Sequence, residues 1–359
     1  MNAPLHISEV LPALPSSPQD DHCSLSDLLS EFEEREAQEN PSVVVPMASL
    51  RFTADGTLAM PEFGMRDAFV FNDWSKRQLA SIVGVRWDRW FARMSDTEQA
   101  AEVNKRLMSG TDSLLVRTTR TVPEGSRAQG TVMALLSEKY TPLADSKVLR
   151  LVKLALEEVE PRLRVLRSAV TDRSTSYVVA IGTSFRPGDD HEVGDVWGGI
   201  TIRNSGVGYA ALSIVAHLER LLCKNGLHAP IPDAHLVYRA HRAFGLAKLH
   251  ELLMERLRAL PGKLAQAGRA LVAARQRGVT EPNEAFAAIL RAARLPLRLL
   301  PELERAYEIE PSLKGTAFGV SQAATRAAQG MSPEDRFELE RAAGAYVAEQ
   351  AHSRGQSLQ

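Results

Sequence analysis

Histidine and cysteine are the residue types in this chain best suited to bind a transition metal. Five of them fall in one stretch: His217, Cys223, His228, His235 and His241. Structural zinc sites use four ligands at short characteristic spacings, usually with paired cysteines. These spacings match no such pattern, and the only other cysteine, Cys23, is far away in the sequence. We therefore predict no metal site and no cofactor.

Carboxylates offer a second possible chemistry. Asp189, Asp190, Glu192 and Asp195 could bind a divalent ion, but they follow Pro187-Gly188 in a stretch typical of a solvated turn. No Gly-x-Ser-x-Gly nucleophile elbow occurs. Asn204–Gly208 contains two glycines but leads into a predicted strand, not into the helix N-terminus that a phosphate loop needs. We predict a protein that is not an enzyme, and a metal-dependent hydrolase stays open as an alternative.

Charge is distributed unevenly along the chain, although the net charge is only −1. Residues 1–40 contain nine acidic side chains and one base, Arg35, whereas residues 239–298 contain twelve bases and four acids. Such asymmetry indicates a polyanion partner or a charged tail. The acidic segment could act as a polyanion mimic that competes for the same basic surface.

Basic residues on several predicted elements suggest a nucleic-acid site. Binding of a single strand requires cations for the phosphates and an aromatic ring for stacking on a base. The candidate residues are Arg117, Arg120, Lys139, Tyr140, Arg203, Arg220 and Lys224.

A sequence-specific DNA-binding regulator is a further alternative. Lys76–Val85 resembles the first helix and turn of a helix-turn-helix. The second helix, at about 86–94, would present Trp87, Trp90 and Phe91, which are too bulky and apolar to read a major groove. Those aromatic residues are more typical of a core.

The pattern of apolar residues predicts an α+β fold in which an antiparallel β-meander packs with helices and a mostly helical C-terminal region follows. Residues 1–42 form a disordered acidic tail, in which Leu25, Leu28, Leu29 and Phe32 mark a short amphipathic helix. This helix binds either the protein itself or a partner. The α+β core spans 43–230, a helical region spans 231–348, and 349–359 form a second disordered tail.

Turn and capping signals place the elements of that core. Asp55-Gly56 predicts a type I′ hairpin, and 113–121 pairs with 130–137 in a second hairpin. Asp145 is expected to cap a helix. The meander consists of four strands, which a helix at about His217–Lys224 closes: 163–170, 176–184, 195–204 and 208–215.

Nothing in the sequence predicts export or a membrane span. The N-terminus lacks a basic segment followed by an apolar one, and no run of about 18 apolar residues occurs. Two distant cysteines fit a reducing compartment. We expect a cytoplasmic protein with no membrane partner.

Three segments in order resemble the plasmid- and phage-borne "domain of unknown function 932" family. They are Leu135–Leu143, Asn204–Tyr209 with Arg220–Gly226, and Gly315–Arg326 ahead of Arg341–Gly344. One departure is Gly206, where the family pattern leads us to expect an acidic residue. The resemblance implies a role on mobile elements, in DNA maintenance, replication or recombination.

The predicted order of four strands and a helix also resembles the core of the single-strand annealing recombination proteins. That resemblance implies a basic groove beside the sheet and assembly into a homo-oligomer. Our hypothesis is a single-stranded-DNA-binding protein that assists annealing, recombination or replication of a mobile element. A non-enzymatic structural or interaction protein of a phage or plasmid is the main alternative.

Overall fold

The computed structural model describes residues 24–60, 68–86, 93–160, 162–185, 196–220, 235–241, 245–309 and 313–352. The strands are β1 (Val43–Pro46), β2 (Arg51–Phe52), β3 (Leu58–Ala59), β4 (Ala68–Phe71), β5 (Ser113–Thr119), β6 (Gly130–Ser137), β7 (Leu163–Val170), β8 (Thr175–Phe185), β9 (Val196–Asn204), β10 (Leu212–Arg220) and β11 (His235–Arg239). The helices are α1 (Leu25–Ala37), α2 (Asp73–Val83), α3 (Asp96–Ser109), α4 (Asp145–Glu157), α5 (Leu246–Arg258), α6 (Leu260–Gln276), α7 (Pro282–Ala292), α8 (Leu300–Glu308), α9 (Ala317–Ala328) and α10 (Pro333–His352).

The first sheet has six strands in the order β1-β5-β6-β4-β3-β2. Strand β4 runs parallel to β6, and the other neighbours are antiparallel. Helices α2 and α3 cover one face, where Leu79, Val103 and Leu107 are fully buried with Phe69 of β4. The predicted hairpin of β5 and β6 is confirmed.

The second sheet is an antiparallel meander in the order β11-β10-β9-β8-β7. Its apolar face, with Val179, Ile200 and Ile214, shares a core with α4, α5 and α6. The predicted fold class, an α+β protein with a meander and a helical C-terminal region, is confirmed.

The helix predicted at His217–Lys224 is wrong over the residues that the structure describes. Strand β10 continues to Arg220, and His217 and Leu218 pair with Gly199 and Gly198 of β9. The short apolar run is compatible with the periodicity of a helix and with that of a strand. Hydrogen bonding along β9 favours the strand. The meander gains a fifth strand, β11, where a helix was expected, while 221–234 lie outside the described residues.

The hairpin at Asp55-Gly56 forms, but its predicted type I′ turn is wrong. Type I′ requires positive φ at both central residues, and here Gly56 has φ 78° while Asp55 does not have a positive φ. The Gly56 N–H donates to the Thr53 carbonyl at 3.0 Å, and the Thr53 N–H donates to Thr57 at 2.9 Å. This is a three-residue loop closed by a glycine bulge.

The predicted amphipathic helix is present as α1, and it packs on this protein, which is the first of the two alternatives. Ser24 and Asp27 form a reciprocal capping box at its start. Leu28 and Phe32 are buried, and the Phe32 ring lies 5.8 Å from Tyr177 of β8. The segment before residue 24 lies outside the described residues.

Helices α7 to α10 build a separate apolar cluster around Phe286, Leu303 and Leu339. Helix α10 continues to His352, so residues 349–352, which were predicted to be disordered, are helical. Within the described residues, no helix combines the length and apolar content that crossing a lipid bilayer demands.

Because the Phe32 ring is fully enclosed, Phe32→Ala is expected to lower the free energy of unfolding by about 3–5 kcal/mol. Urea denaturation followed by circular dichroism measures this loss. Glu31→Ala on the exposed side of α1 is the matched control and should leave the midpoint almost unchanged. Equal midpoints for the two variants would mean that α1 is not docked in solution.

Candidate functional site

The loop that follows β9, residues 205–209, lies between the two sheets and is fixed there by side chains of the first sheet and of α2. The Tyr140 hydroxyl donates to the Ser205 carbonyl at 2.6 Å, and Arg117 Nη1 donates to the Gly206 carbonyl at 2.6 Å. The Val207 carbonyl accepts from Trp74 Nε1 at 2.9 Å and from Gln78 Nε2 at 3.0 Å. Three successive carbonyls are thereby satisfied by side chains instead of by a strand.

Asn204 extends this connection to the start of α4. Its Nδ2 donates to the Leu143 carbonyl at 2.9 Å and to Asp145 Oδ1 at 2.7 Å. Two of the segments that carry the family resemblance, 135–143 and 204–209, therefore contact each other directly. Their polar residues join the two sheets.

Asp145 does not cap α4 as predicted, because Ala144 occupies the N-cap position. The Asp145 carboxylate instead accepts hydrogen bonds from Thr175 at 2.6 Å and from Asn204. Burial raises the pKa of Asp145, and these two hydrogen bonds oppose the rise. The residue is held by the second sheet.

Arg117, a predicted phosphate ligand, is buried and already has two partners. Besides the Gly206 carbonyl, its guanidinium forms an ion pair with Glu39, which follows α1. Burial raises the pKa of Glu39, and the charge of Arg117 opposes the rise. A Cβ atom at Gly206 would collide with the end of the Arg117 side chain. Position 206 therefore has no room for a side chain while Arg117 holds this place.

Tyr140, the predicted stacking residue, is engaged on both its hydroxyl and its ring. The ring stacks on His241 with centroids 5.1 Å apart and an interplanar angle of 16°. Burial raises the pKa of the Tyr140 hydroxyl well above its usual range. His241 therefore covers one face of the Tyr140 ring, and in this conformation a base cannot stack on that face.

Arg203 lies between two aromatic rings. Its guanidinium carbon is 5.5 Å from the ring centroid of Tyr209 and 5.0 Å from that of Phe337 on α10. It also pairs with Glu338 at 3.4 Å. Arg203 therefore joins the meander to α10.

The remaining predicted contacts do not gather at this loop. Arg120 and Lys139 are exposed at opposite ends of the β5–β6 hairpin, since Thr119 pairs with Thr131 and Ser137 with Leu114. Arg220 is the last residue of β10, its side chain is outside the described residues, and so is Lys224. The structure brings Arg117, Tyr140 and Arg203 together and separates the other described candidates from them.

Within the described residues, little in the geometry supports the alternative sites. Residues 24–60, 68–86, 93–160 and the other described ranges contain no histidine, cysteine and carboxylate group that could hold a metal ion. His217 is buried beside Thr201, whereas Cys223, His228 and Asp189–Asp195 lie outside the described residues. Trp74 and Gln78 of α2 bond to the loop, and 87–92 also lie outside.

Contacts connect arginines from this loop across α10 to the end of α7, and we name these arginines, together with those that flank the end of α7 in the sequence, the arginine strip. Its members are Arg173, Arg203, Arg341, Arg291, Arg294 and Arg298. Arg173 lies 5.8 Å from the half-buried Tyr209 ring that Arg203 also contacts. Glu338 pairs with both Arg203 and Arg341, and Arg341 donates to the Ala292 carbonyl at the end of α7 at 3.4 Å.

The far end of the arginine strip is exposed and has few counter-charges. Arg291, Arg294 and Arg298 are exposed, and within the described ranges none of the three has a carboxylate partner within ion-pair distance. Along the strip the carboxylate partners are Asp172, 3.8 Å from Arg173, and Glu338. The excess of bases in 239–298 pointed to three of these arginines, but only the fold shows that Arg203 and Arg341 extend the same line.

Arg294 adopts a backbone conformation that favours glycine. Its φ is 58°, the only positive value at a non-glycine residue in the part of the chain that the structure describes. The Leu295 N–H donates to the Leu290 carbonyl at 2.9 Å, which is the hydrogen bond of a Schellman motif at the end of α7. The left-handed conformation costs a non-glycine residue about 1–2 kcal/mol.

Comparison with protein-family models, with curated proteins and with solved structures finds no match to this chain. The geometry of the loop and of the arginine strip is therefore the basis for a functional proposal.

Removing the Tyr140 hydroxyl tests the attachment of the loop. Tyr140→Phe leaves the Ser205 carbonyl without its donor, so we expect a loss of about 1–3 kcal/mol in the free energy of unfolding. Urea denaturation measures it. Thr111→Ala, at an exposed residue before β5, is the control, and a loss no larger than the control's would contradict the attachment.

Asp145→Asn tests the buried carboxylate through pH. Because the folded pKa of Asp145 is raised, the wild type loses stability as pH rises from the unfolded value of about 3.9 through the folded pKa. The amide does not ionise, so the variant should gain stability relative to the wild type across that interval. Urea midpoints at several pH values measure the gain, and Asp112→Asn, on an exposed residue, is the control. Parallel pH profiles for wild type and Asp145→Asn would refute the prediction.

Proposed function

We propose that the protein binds single-stranded DNA along the arginine strip and assists annealing, recombination or replication of a mobile element's DNA. The proposal is carried by the contacts that link Arg203 at Tyr209, through Glu338, to Arg341 and the end of α7, where further arginines are exposed. Cations neutralise phosphates, and a partly accessible aromatic ring offers a stacking surface for a base. This combination suits an unpaired strand.

The strained backbone at Arg294 supports the same proposal. Glycine would relieve the strain at this C-terminal cap, yet the position holds a long cationic side chain. An exposed arginine between Arg291 and Arg298 contributes nothing to the core, so its value lies in what it contacts outside the protein.

The proposal revises the set of contacts expected from the sequence. Arg203 is as buried as Arg117 and joins Tyr209 to α10, while Arg117 and Tyr140 fix the loop that presents Tyr209. The phosphate contacts therefore fall to the more exposed arginines of the strip. A homo-oligomer and a cytoplasmic location belong to the same proposal, because the resemblance to annealing proteins implies assembly on DNA inside the cell. Light scattering of the purified protein tests the first of these.

Arg294→Gly separates binding from stability, because the two should change in opposite directions. Relief of the left-handed strain should raise the free energy of unfolding by about 1 kcal/mol. Loss of one phosphate contact should weaken the binding of a fluorescent oligothymidylate and reduce the slope of log affinity against log salt by about 0.7. Fluorescence anisotropy at several salt concentrations and urea denaturation provide the two readouts.

The matched control is Arg127→Gly, which removes an exposed arginine in the loop between β5 and β6, away from the arginine strip. It should leave the salt slope unchanged. Wild-type protein that shows no salt-sensitive binding to a single strand would overturn the proposed function. Tighter binding to duplex than to a single strand would favour a regulator instead.

A further inference from the structure

A cavity of about 130 Å³ opens between the meander and the start of α10. One wall is the polar face of the sheet, with Ser176 and Thr201, and the opposite wall includes Met331 and Phe337. Val178 and Ala169 add apolar surface. Apolar walls with a few convergent polar groups are the usual composition of a small-molecule site.

Two arginines and one carboxylate lie at this cavity. The carboxylate of Glu340 is buried and accepts from Arg167 at 2.9 Å and from Arg336 at 2.8 Å. Because the two guanidinium groups share one carboxylate, this group of three side chains keeps one positive charge beside the uncharged walls. The hydroxyl of Ser176 makes no hydrogen bond with any part of the chain that the structure describes. The cavity therefore suits a flat group with a polar edge.

The cavity adjoins the arginine strip. Ser176 is the register partner of Arg203 on the neighbouring strand, and Val178 is that of Thr201. Phe337 lines the cavity and also contacts the Arg203 guanidinium. Arg203 itself is buried, but Arg341 is more exposed and lies one turn after Phe337 on α10. A strand whose phosphates reach Arg341 would therefore pass the mouth of the cavity.

We propose that this cavity takes up one unpaired nucleobase of a strand bound along the arginine strip. The base would lie against Phe337 and Val178, and its polar edge would meet the hydroxyls of Ser176 and Thr201. A base in a duplex is stacked and paired, and extruding it costs a few kcal/mol. The cavity thus gives the proposed function its preference for a single strand. This inference rests on the proposed function.

The test compares an oligothymidylate with an abasic strand of the same length, by anisotropy with the full chain. The abasic strand keeps the phosphates and lacks the bases. We expect it to bind with the same salt slope and about tenfold lower affinity. Equal affinity for both strands would overturn the cavity inference and leave the arginine strip standing. Binding of neither strand would overturn the proposed function together with the cavity.

Ser176→Leu tests whether the higher affinity for a strand with bases arises in the cavity. The leucine side chain fills the space beside Arg203. The affinity for oligothymidylate should therefore fall to that for the abasic strand, so that their ratio is about one, while the affinity for the abasic strand is unchanged. Thr201→Val is the second variant, in case leucine impairs folding, because it keeps the shape and removes the hydroxyl. A ratio that stays near tenfold in both folded variants would assign the base preference to another place, such as Tyr209, and would refute the cavity.

Discussion

Three successive peptide carbonyls, those of Ser205, Gly206 and Val207, lie between the two sheets outside any strand, and side chains must satisfy them. A buried carbonyl without a donor costs about 1–3 kcal/mol, so each donor is structurally constrained. Tyr140, Arg117, Trp74 and Gln78 meet that need. Gln78 also accepts from the Leu135 N–H of β6, which ties α2, the first sheet and the loop into one network.

The same constraint explains why the N-terminal segment is part of the fold. Arg117 cannot approach the Gly206 carbonyl as a buried, uncompensated cation, since an isolated buried charge is very costly. Glu39 compensates it, and the segment before Glu39 is fixed by α1, whose apolar face packs on the second sheet. The acidic side chains of the segment thus have contacts within the protein. Glu36 accepts from the start of α4, and Glu33 pairs with an arginine on the side of α4.

The sequence predicted the local elements well and the location of the site poorly. Alternation and turn residues define β5 to β9, but whether 217–220 is helix or strand depends on pairing with Gly198 and Gly199, which are distant in the sequence. Arg117 and Tyr140 have types and spacing that suit phosphate and base contacts. Their burial depends on a loop more than sixty positions away, so no local pattern reports it. The line from Arg203 to Arg341 and α7 is likewise a product of tertiary packing.

The docking of α1 has a consequence for synthesis. The helix leaves the ribosome first, but Phe32 finds Tyr177 only after the intervening chain has been made. At 5–20 residues per second, that delay is roughly 7–30 s. During this time Leu25, Leu28 and Phe32 form an apolar stripe with nothing to cover it. The acidic residues on the other side of α1 carry net negative charge, which favours hydration of this segment and repulsion between like chains until β8 has been made.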